Sequence, residues 1–174
     1  MATTEVATDG EMPISSAVFK QSMRLLAGGV CIVASAKDGE RLGLTMTAVC
    51  SLTLDPPTLI ACVNRDAGAH ALMRSTRRIS VNLLGADHAE LAERFASSSI
   101  KGAARFDLAT WVDMESGVPA LADALAVLDC EIFEETSVGQ HSVFFCEVKA
   151  ARVQPAKEPL VHFNREFRGL IPVG

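Results

Sequence analysis

Residues Leu44 to Asn64 read LTMTAVCSLTLDPPTLIACVN, two runs of β-branched and apolar residues separated by Asp55-Pro56-Pro57. Val, Ile and Thr fit a pleated, half-buried surface, so Leu44 to Leu54 and Thr58 to Asn64 are expected as strands. Two consecutive prolines remove two amide donors and break the ladder, yet apolar strand resumes at once; the two strands are therefore expected to meet at a sharp corner. The same signature recurs at Val30 to Ser35, Ile79 to Leu84, Val127 to Glu134, His141 to Val153 and Leu160 to Phe163. Helical periodicity is sparse. Phe19, Met23 and Leu26 mark a first helix capped by Ser15 or Ser16 and stopped by Gly28-Gly29. A short helix is expected near Ala69 to Arg74. A clearer one is expected near Asp87 to Ala96, with Asp87 as its N-cap and Leu91 and Phe95 on one face. Helices this few cannot supply repeated βαβ units, so the chain is expected to be mainly β, closer to a closed antiparallel barrel than to a doubly wound sheet.

The chain has 174 residues, 49% apolar and 21% charged, which fits one domain with a real core and excludes a disordered or collagen-like protein. No repeat or Pro/Ser linker divides it, so residues 15–174 are read as one domain after a disordered leader over residues 1–14. That leader is acidic and polar, without the basic and apolar regions of a secretory signal, so a cytoplasmic protein is expected. No apolar run approaches the roughly 18 residues of a membrane span. A net charge of -5 with scattered basic residues gives no footprint for nucleic acid. Five cysteines without a CxxC pair read as reduced, buried thiols, and four histidines with no i, i+4 pair give a metal site no support. GxGxxG and GxxxxGK[ST] are both absent, so any nucleotide must bind outside a Rossmann or P-loop frame.

From GLTMTAVCSLTLDPP at Gly43 to Pro57 and on through TLIACVNRDAGAH, the sequence strongly resembles the short-chain flavin reductases, the reductase components of two-component flavin-dependent monooxygenases. The likeness continues through FKQSM, SVNLL at Ser80 to Leu84, LAERFA at Leu91 to Ala96 and RF followed by Trp111. It runs on through LDCEI at Leu128 to Ile132, VGQHSVFFCEV at Val138 to Val148 and PLVHFNREF at Pro159 to Phe167. Within that family the likeness is greatest to the 4-hydroxyphenylacetate and pyrimidine-utilisation types. The resemblance implies an FMN-binding split β-barrel of Greek-key type with a few short helices, forming a homodimer. It also implies reduction of FMN or FAD by NADH or NADPH, with the reduced flavin passing to a separate flavin-dependent oxygenase. Two other functions remain open: an electron carrier holding its flavin tightly, and a split-barrel reductase of another acceptor, such as a corrinoid or a ferric complex.

Taken as residues alone, Thr45 to Val49 is a barrel strand whose alternate side chains fill a core, or a short-side-chained surface that a planar ring can approach beside Gly43. The resemblance selects the second and implies flavin contacts at Thr45, Thr47, Ala48 and Val49, with Ser51 adding a hydroxyl. It implies further contacts at Cys62, Val63, Asn64 and Arg65 at the end of the next strand. Cys50 has no basic neighbour in sequence to lower its pKa and reads as structural. Asn82, an amide inside an apolar strand, either satisfies a neighbouring turn or contacts the flavin. His141 is a loop histidine, or, as the family-like VGQH turn implies, a nicotinamide contact; Gln140 stands where several relatives carry Asp. Arg165 is either solvated or a second nicotinamide contact. Hydride transfer between two rings needs positioning more than acid–base chemistry, so no acid or base is assigned. Arg65, Lys101 and Arg165 are the candidate cations for a reduced, anionic flavin.

Overall fold

The computed structural model describes residues 14–154 and 158–171; of the expected leader only Ile14 lies among them. Helix α1 (Ser16–Arg24) opens the chain. It leads into β1 (Gly28–Gly29), β2 (Cys31–Lys37), β3 (Glu40–Met46), β4 (Val49–Leu54) and β5 (Pro57–Asn64). Helix α2 (His70–Thr76), strand β6 (Arg78–Leu83) and helix α3 (Ala89–Ala96) follow. Strands β7 (Trp111–Asp113), β8 (Pro119–Leu121), β9 (Ala126–Val138), β10 (His141–Val153), β11 (Val161–Phe163) and β12 (Glu166–Arg168) complete the order. Short 3-10 turns lie at Ala86–His88 and Gly102–Phe106. No helix among the described residues is long and apolar enough to cross a membrane.

Seven strands form one antiparallel sheet in the order β3-β2-β6-β9-β10-β5-β4. Its two edges, β3 and β4, are consecutive in the chain and joined by Thr47 and Ala48 alone, so the sheet must curl until its edges approach. Because β3 pairs with β2 and β4 with β5, never with each other, the result is a split barrel and not the closed one that strand count suggests. The single strand expected over residues 44–54 is therefore two. All its residues favour strand, and the break comes from the curl of the whole sheet. The expected corner at Asp55-Pro56-Pro57 is a hairpin that pairs Leu54 with Pro57.

Alternation along β2 divides the core in two. Cys31 and Val33 point into the barrel with Ala61, Val81, Ile132 and Phe144, where Ala69 and Met73 of the α2 segment also pack. Ile32 and Ala34 point outward and are covered by Leu91, Ala92 and Phe95 of α3, with Phe106 and Leu121 behind them. Ser15 caps α1 through a bond from the Val18 amide, as expected. Asp87 does not cap α3: the Gly85 amide donates instead to His88 Nδ1, at 3.1 Å.

Candidate active site

A cleft of about 690 Å³ lies between β3, the 66–69 loop, the end of α3 and the 97–105 segment. That volume falls within the range of about 300–1,000 Å³ usual for small-molecule sites. Its walls exist because of two close approaches. Gly43 lets β3 run under α3, since a Cβ there would sit 2.9 Å from Phe95 Cε1 and 3.1 Å from the Val33 carbonyl oxygen. Phe95 thus fills the Cβ side of Gly43, while Gly43 itself lines the cleft. Thr45 is also turned to this contact, its hydroxyl donating to the Ala92 carbonyl at 2.7 Å. Thr45 lines the cleft but has given its hydroxyl proton to the fold.

Arg105 shapes the opposite wall. Its guanidinium donates to the carbonyls of Ile100 (2.7 Å), Gly43 (2.8 Å) and Ser97 (2.6 Å), binding the 97–105 segment to β3. Lys101 stands at the same wall, exposed and without an ion-pair partner among the described residues. On the facing loop the Asp66 amide donates to Asn64 Oδ1 at 2.9 Å and the Ala67 amide to the Asn64 carbonyl. Asn64 thereby folds the loop, and the Gly68 and Ala69 amides keep no backbone acceptor among the described residues. A free ammonium on one wall and spare N–H groups on the facing loop, with the apolar Leu42, Leu44 and Phe95 also lining the cleft, suit a ligand with a flat ring and a phosphate tail. The residues present therefore fit a flavin.

The loop continues into a second group. His141 is paired with Asn64 across β10 and β5, the Arg65 amide donates to the Gln140 carbonyl at 2.9 Å, and the Arg65 guanidinium donates to the Gly139 carbonyl at 2.5 Å. His141 is exposed, so its imidazole is available to a ligand at the end of the loop that walls the cleft. Arg65 is committed to the turn, which leaves Lys101 as the cation of the expected three that lines the cleft.

The other sequence candidates divide by position. Thr47 and Ala48 are exposed in the β3–β4 link: Thr47 lies against Gly28, where an added Cβ would meet Thr47 Cβ at 3.1 Å, and the Ala48 carbonyl accepts the Cys62 amide at 3.0 Å. Val63 is fully enclosed in the barrel core, so only its main chain can meet a ligand. Val49 and Ser51 line a different, largely apolar groove of about 340 Å³ along the open edge β4. Asn82 satisfies neighbouring strands and not the turn expected of it. It is completely buried, donating to the Ile32 carbonyl and Ser80 Oγ while accepting from the Leu121 amide at 2.8 Å, which ties β8 to β6 and leaves no group for a flavin. Arg165 sits at the tip of the β11–β12 turn, away from the cleft lining, where the neighbouring Asn164 amide donates to the Arg24 carbonyl. Gly68, Ser97, Ser98 and Arg105 were not singled out from sequence as site residues, because they come from loops whose meeting depends on the curl of the sheet; the RDAGAH stretch around Gly68 and the RF pair at Arg105 were their visible signals.

The five cysteines are free. Cys31, Cys130 and Cys146 are buried, and burial pushes their thiols up, those of Cys31 and Cys146 to about 12. Cys50 departs from the expected burial and is exposed, on an edge strand that no described residue covers. Burial, and then proximity to Cys50, raise Cys62. Asp87, His88 and Asp123 gather their ligand atoms within 4.8 Å of one another. His88 Nδ1 accepts from the Gly85 amide, however, so its Nε2, 3.1 Å from Asp123 Oδ2, keeps the ring proton and offers no lone pair to an ion.

Residues 23–170 match the flavin reductase-like domain family. A curated relative from Methylorubrum extorquens, named FMN reductase (NADH) RutF 1, is 36% identical over 91% of this chain and 79% of its own length. The NADH:FAD oxidoreductase SgcE6 of Streptomyces globisporus, solved with NAD and FAD fragments, superposes with a TM-score of 0.84 at 31% identity, covering 90% of this chain and 94% of that one. BorF, the flavin reductase component of a bacterial two-component tryptophan halogenase, gives 0.84 at 27% identity over 91% of this chain and all of its own. A mainly β split barrel, a cleft suited to a ring with a phosphate tail and a family match spanning nearly all the described residues agree: the chain belongs to the flavin reductase-like family of oxidoreductases.

Proposed function

We propose that this chain reduces FMN or FAD with NADH or NADPH, as a homodimer in the cytoplasm, and releases the reduced flavin to a separate flavin-dependent oxygenase. The observation that carries this reading is the continuity of the cleft with the His141 turn through one loop, residues 64–69. The Methylorubrum relative is named for FMN and NADH, which makes that the first pair to assay. The two-component system of BorF supports delivery to a partner enzyme. Five free cysteines suit a reducing compartment.

When bound, the flavin ring supplies the acceptor for the hydride of the dihydronicotinamide. The chain's own contribution is placement. Lys101 and the Gly68 and Ala69 amides hold the phosphate end, Leu42 and Leu44 exclude water from one wall, and Thr47, Ala48 and the main chain at Cys62 and Val63 border the ring. His141 contacts the nicotinamide from the turn that Arg65 braces. Such positioning raises the rate by holding the two rings in contact rather than by moving protons.

The homodimer has its own support. Strand β4 is an open edge with Leu54 86% exposed beside the apolar groove, an arrangement that invites pairing with another chain.

The test is NADH and NADPH oxidation by purified protein with and without added FMN or FAD. Turnover that saturates in flavin is expected, and absence of turnover with all four pairings ends the enzyme reading. Protein that keeps a stoichiometric yellow flavin through desalting and does not turn over added flavin is instead a carrier.

A further inference from the structure

Beneath the His141 turn lies a polar chain that the reading above does not use. His70 opens α2 and is buried, and its Nε2 lies 2.8 Å from Ser142 Oγ. Ser142, fully enclosed at the start of β10, donates to Glu135 Oε1 at 2.7 Å. Glu135, near the end of β9, also accepts from Arg74 Nε at 2.9 Å, and Arg74 is one helical turn after His70 on the same face of α2. A serine hydroxyl has one proton. Given to Glu135, it leaves the Ser142 oxygen as acceptor, so His70 must carry its proton on Nε2 and donate. The chain is therefore directional: His70 to Ser142 to Glu135, with Arg74 closing the far end. The His70 ring also stacks on Phe144, at 5.6 Å between centroids and 18° between planes.

The position of the chain gives it a consequence. His70 directly follows the 66–69 wall of the cleft, and Ser142 directly follows His141. Buried hydrogen bonds are costly to break singly, because each leaves an unsatisfied polar group. Fastening His70 to Ser142 therefore fixes the cleft wall to the strand that presents His141, at the other end of the loop from the Arg65 brace.

We propose that His70, Ser142 and Glu135 act as a positioning set that holds His141 in register with the cleft for the nicotinamide. This rests on the nicotinamide placement of His141 made above. None of the three touches a reacting atom. The donor on His70 matters and its ring chemistry does not, so glutamine, whose amide offers an N–H at similar reach, substitutes for it, whereas phenylalanine keeps the stack on Phe144 and loses the donor.

Two measurements test this. In flavin-free protein, hydrogen exchange at residues 66–69 and 139–142 reports the fastening without any activity. His70→Phe and Ser142→Ala are expected to raise exchange in both segments together, and His70→Gln to leave both near wild type. In steady-state assays, His70→Phe should lower kcat/KM for the nicotinamide roughly 5- to 30-fold, the loss of one buried contact, and weaken flavin binding in fluorescence titration as well, since the 66–69 wall it loosens carries the Gly68 and Ala69 amides. Unchanged exchange in His70→Phe, or a His70→Gln variant as impaired as His70→Phe, overturns the proposal. His141→Ala separates the two layers of argument. If it leaves nicotinamide kinetics untouched, the placement of His141 has failed. If it lowers them and His70→Phe does not, the positioning set has failed and the placement stands. Should Ser142→Ala not fold, the His70 pair decides alone.

Discussion

Helices α1 and α3 are near equals in sequence, nine and eight residues with an apolar stripe at helical spacing, yet they end in opposite surroundings. Helix α3 buries Leu91, Ala92 and Phe95 against β2, and Phe95 meets Phe106 at 4.9 Å and Trp111 at 5.6 Å between ring centroids. Helix α1 buries nothing: Phe19 is 56% exposed and Met23 and Leu26 lie open beside it. An amphipathic pattern states that a face will be covered and is silent about by what. For α3 the cover is its own sheet. For α1, as for the edge strand β4, no cover comes from the described residues, which is the pattern expected of surfaces that meet a second copy of the chain.

The widest separation between the two helices should appear on truncating one ring in each. Phe95→Ala removes a fully enclosed ring and is expected to cost about 3–5 kcal/mol in urea unfolding. Phe19→Ala in dilute protein should stay within about 0.5 kcal/mol, as exposed substitutions do. If a second copy covers α1, the Phe19→Ala deficit will grow with protein concentration, because association then contributes to stability. Equal losses for both variants at high dilution would show that α1 is covered within its own chain.

The approach of β3 to α3 gives a second contrast. Gly43→Ala places a methyl 2.9 Å from Phe95 Cε1, a ring already pinned by two aromatic neighbours, and within 3.2 Å of Ala34 Cβ. Overpacking of this kind should cost about 1–3 kcal/mol and lower flavin affinity by displacing a cleft wall. Gly29→Ala meets nothing within 4 Å and is expected to be nearly neutral. A tolerated Gly43→Ala would mean that α3 can slide on β3, and that the cleft is less fixed than its contacts imply.

At the open edge, Leu54→Asp places a charge on the most exposed leucine of β4 without disturbing buried contacts. Monomer stability should barely change, while sedimentation velocity should show the proposed dimer weakened roughly tenfold, about 1.4 kcal/mol. An unaltered dimer would move the interface away from β4 and leave α1 as the remaining uncovered surface.

These contrasts mark where the sequence could be read and where it could not. Strands β2, β5, β6, β9 and β10 were legible because Val, Ile, Thr and Phe cluster between turn residues, and α3 because Leu91 and Phe95 share a face. The break between β3 and β4 was not, since Thr47 and Ala48 carry no breaker and the interruption follows from the sheet curling until its unpaired edges approach. The same curl decides the site. Thr45 and Asn82 offer polar groups on paper, but Ala92, Ile32 and Leu121 claim them, and those partners are 47, 50 and 39 residues distant in sequence. Lys101 was legible as a cation; that it lines the cleft while Arg65 braces a turn depends on which carbonyls each can reach.

Helix α2 stands between the two extremes and yields the finest test. It buries Leu72 and Met73 as α3 buries its stripe, but its first turn is fastened by the charged chain through Glu135. Burial raises the Glu135 pKa, but the hydrogen bonds from Ser142 and Arg74 and the Arg74 charge outweigh it and hold the carboxyl below its usual value. A carboxylate with a depressed folded pKa contributes stability above its unfolded pKa of about 4.3, and that contribution is lost as pH falls through the folded value. The stability gap between wild type and Glu135→Gln should therefore be constant from pH 7 to about 5 and close progressively below about 4. Hydrogen exchange at α2 should follow the same window, while exchange at α3, whose buried contacts are apolar, should not respond locally. A gap that persists undiminished to pH 3 would show that Glu135 fastens α2 through its shape and packing and not through its charge.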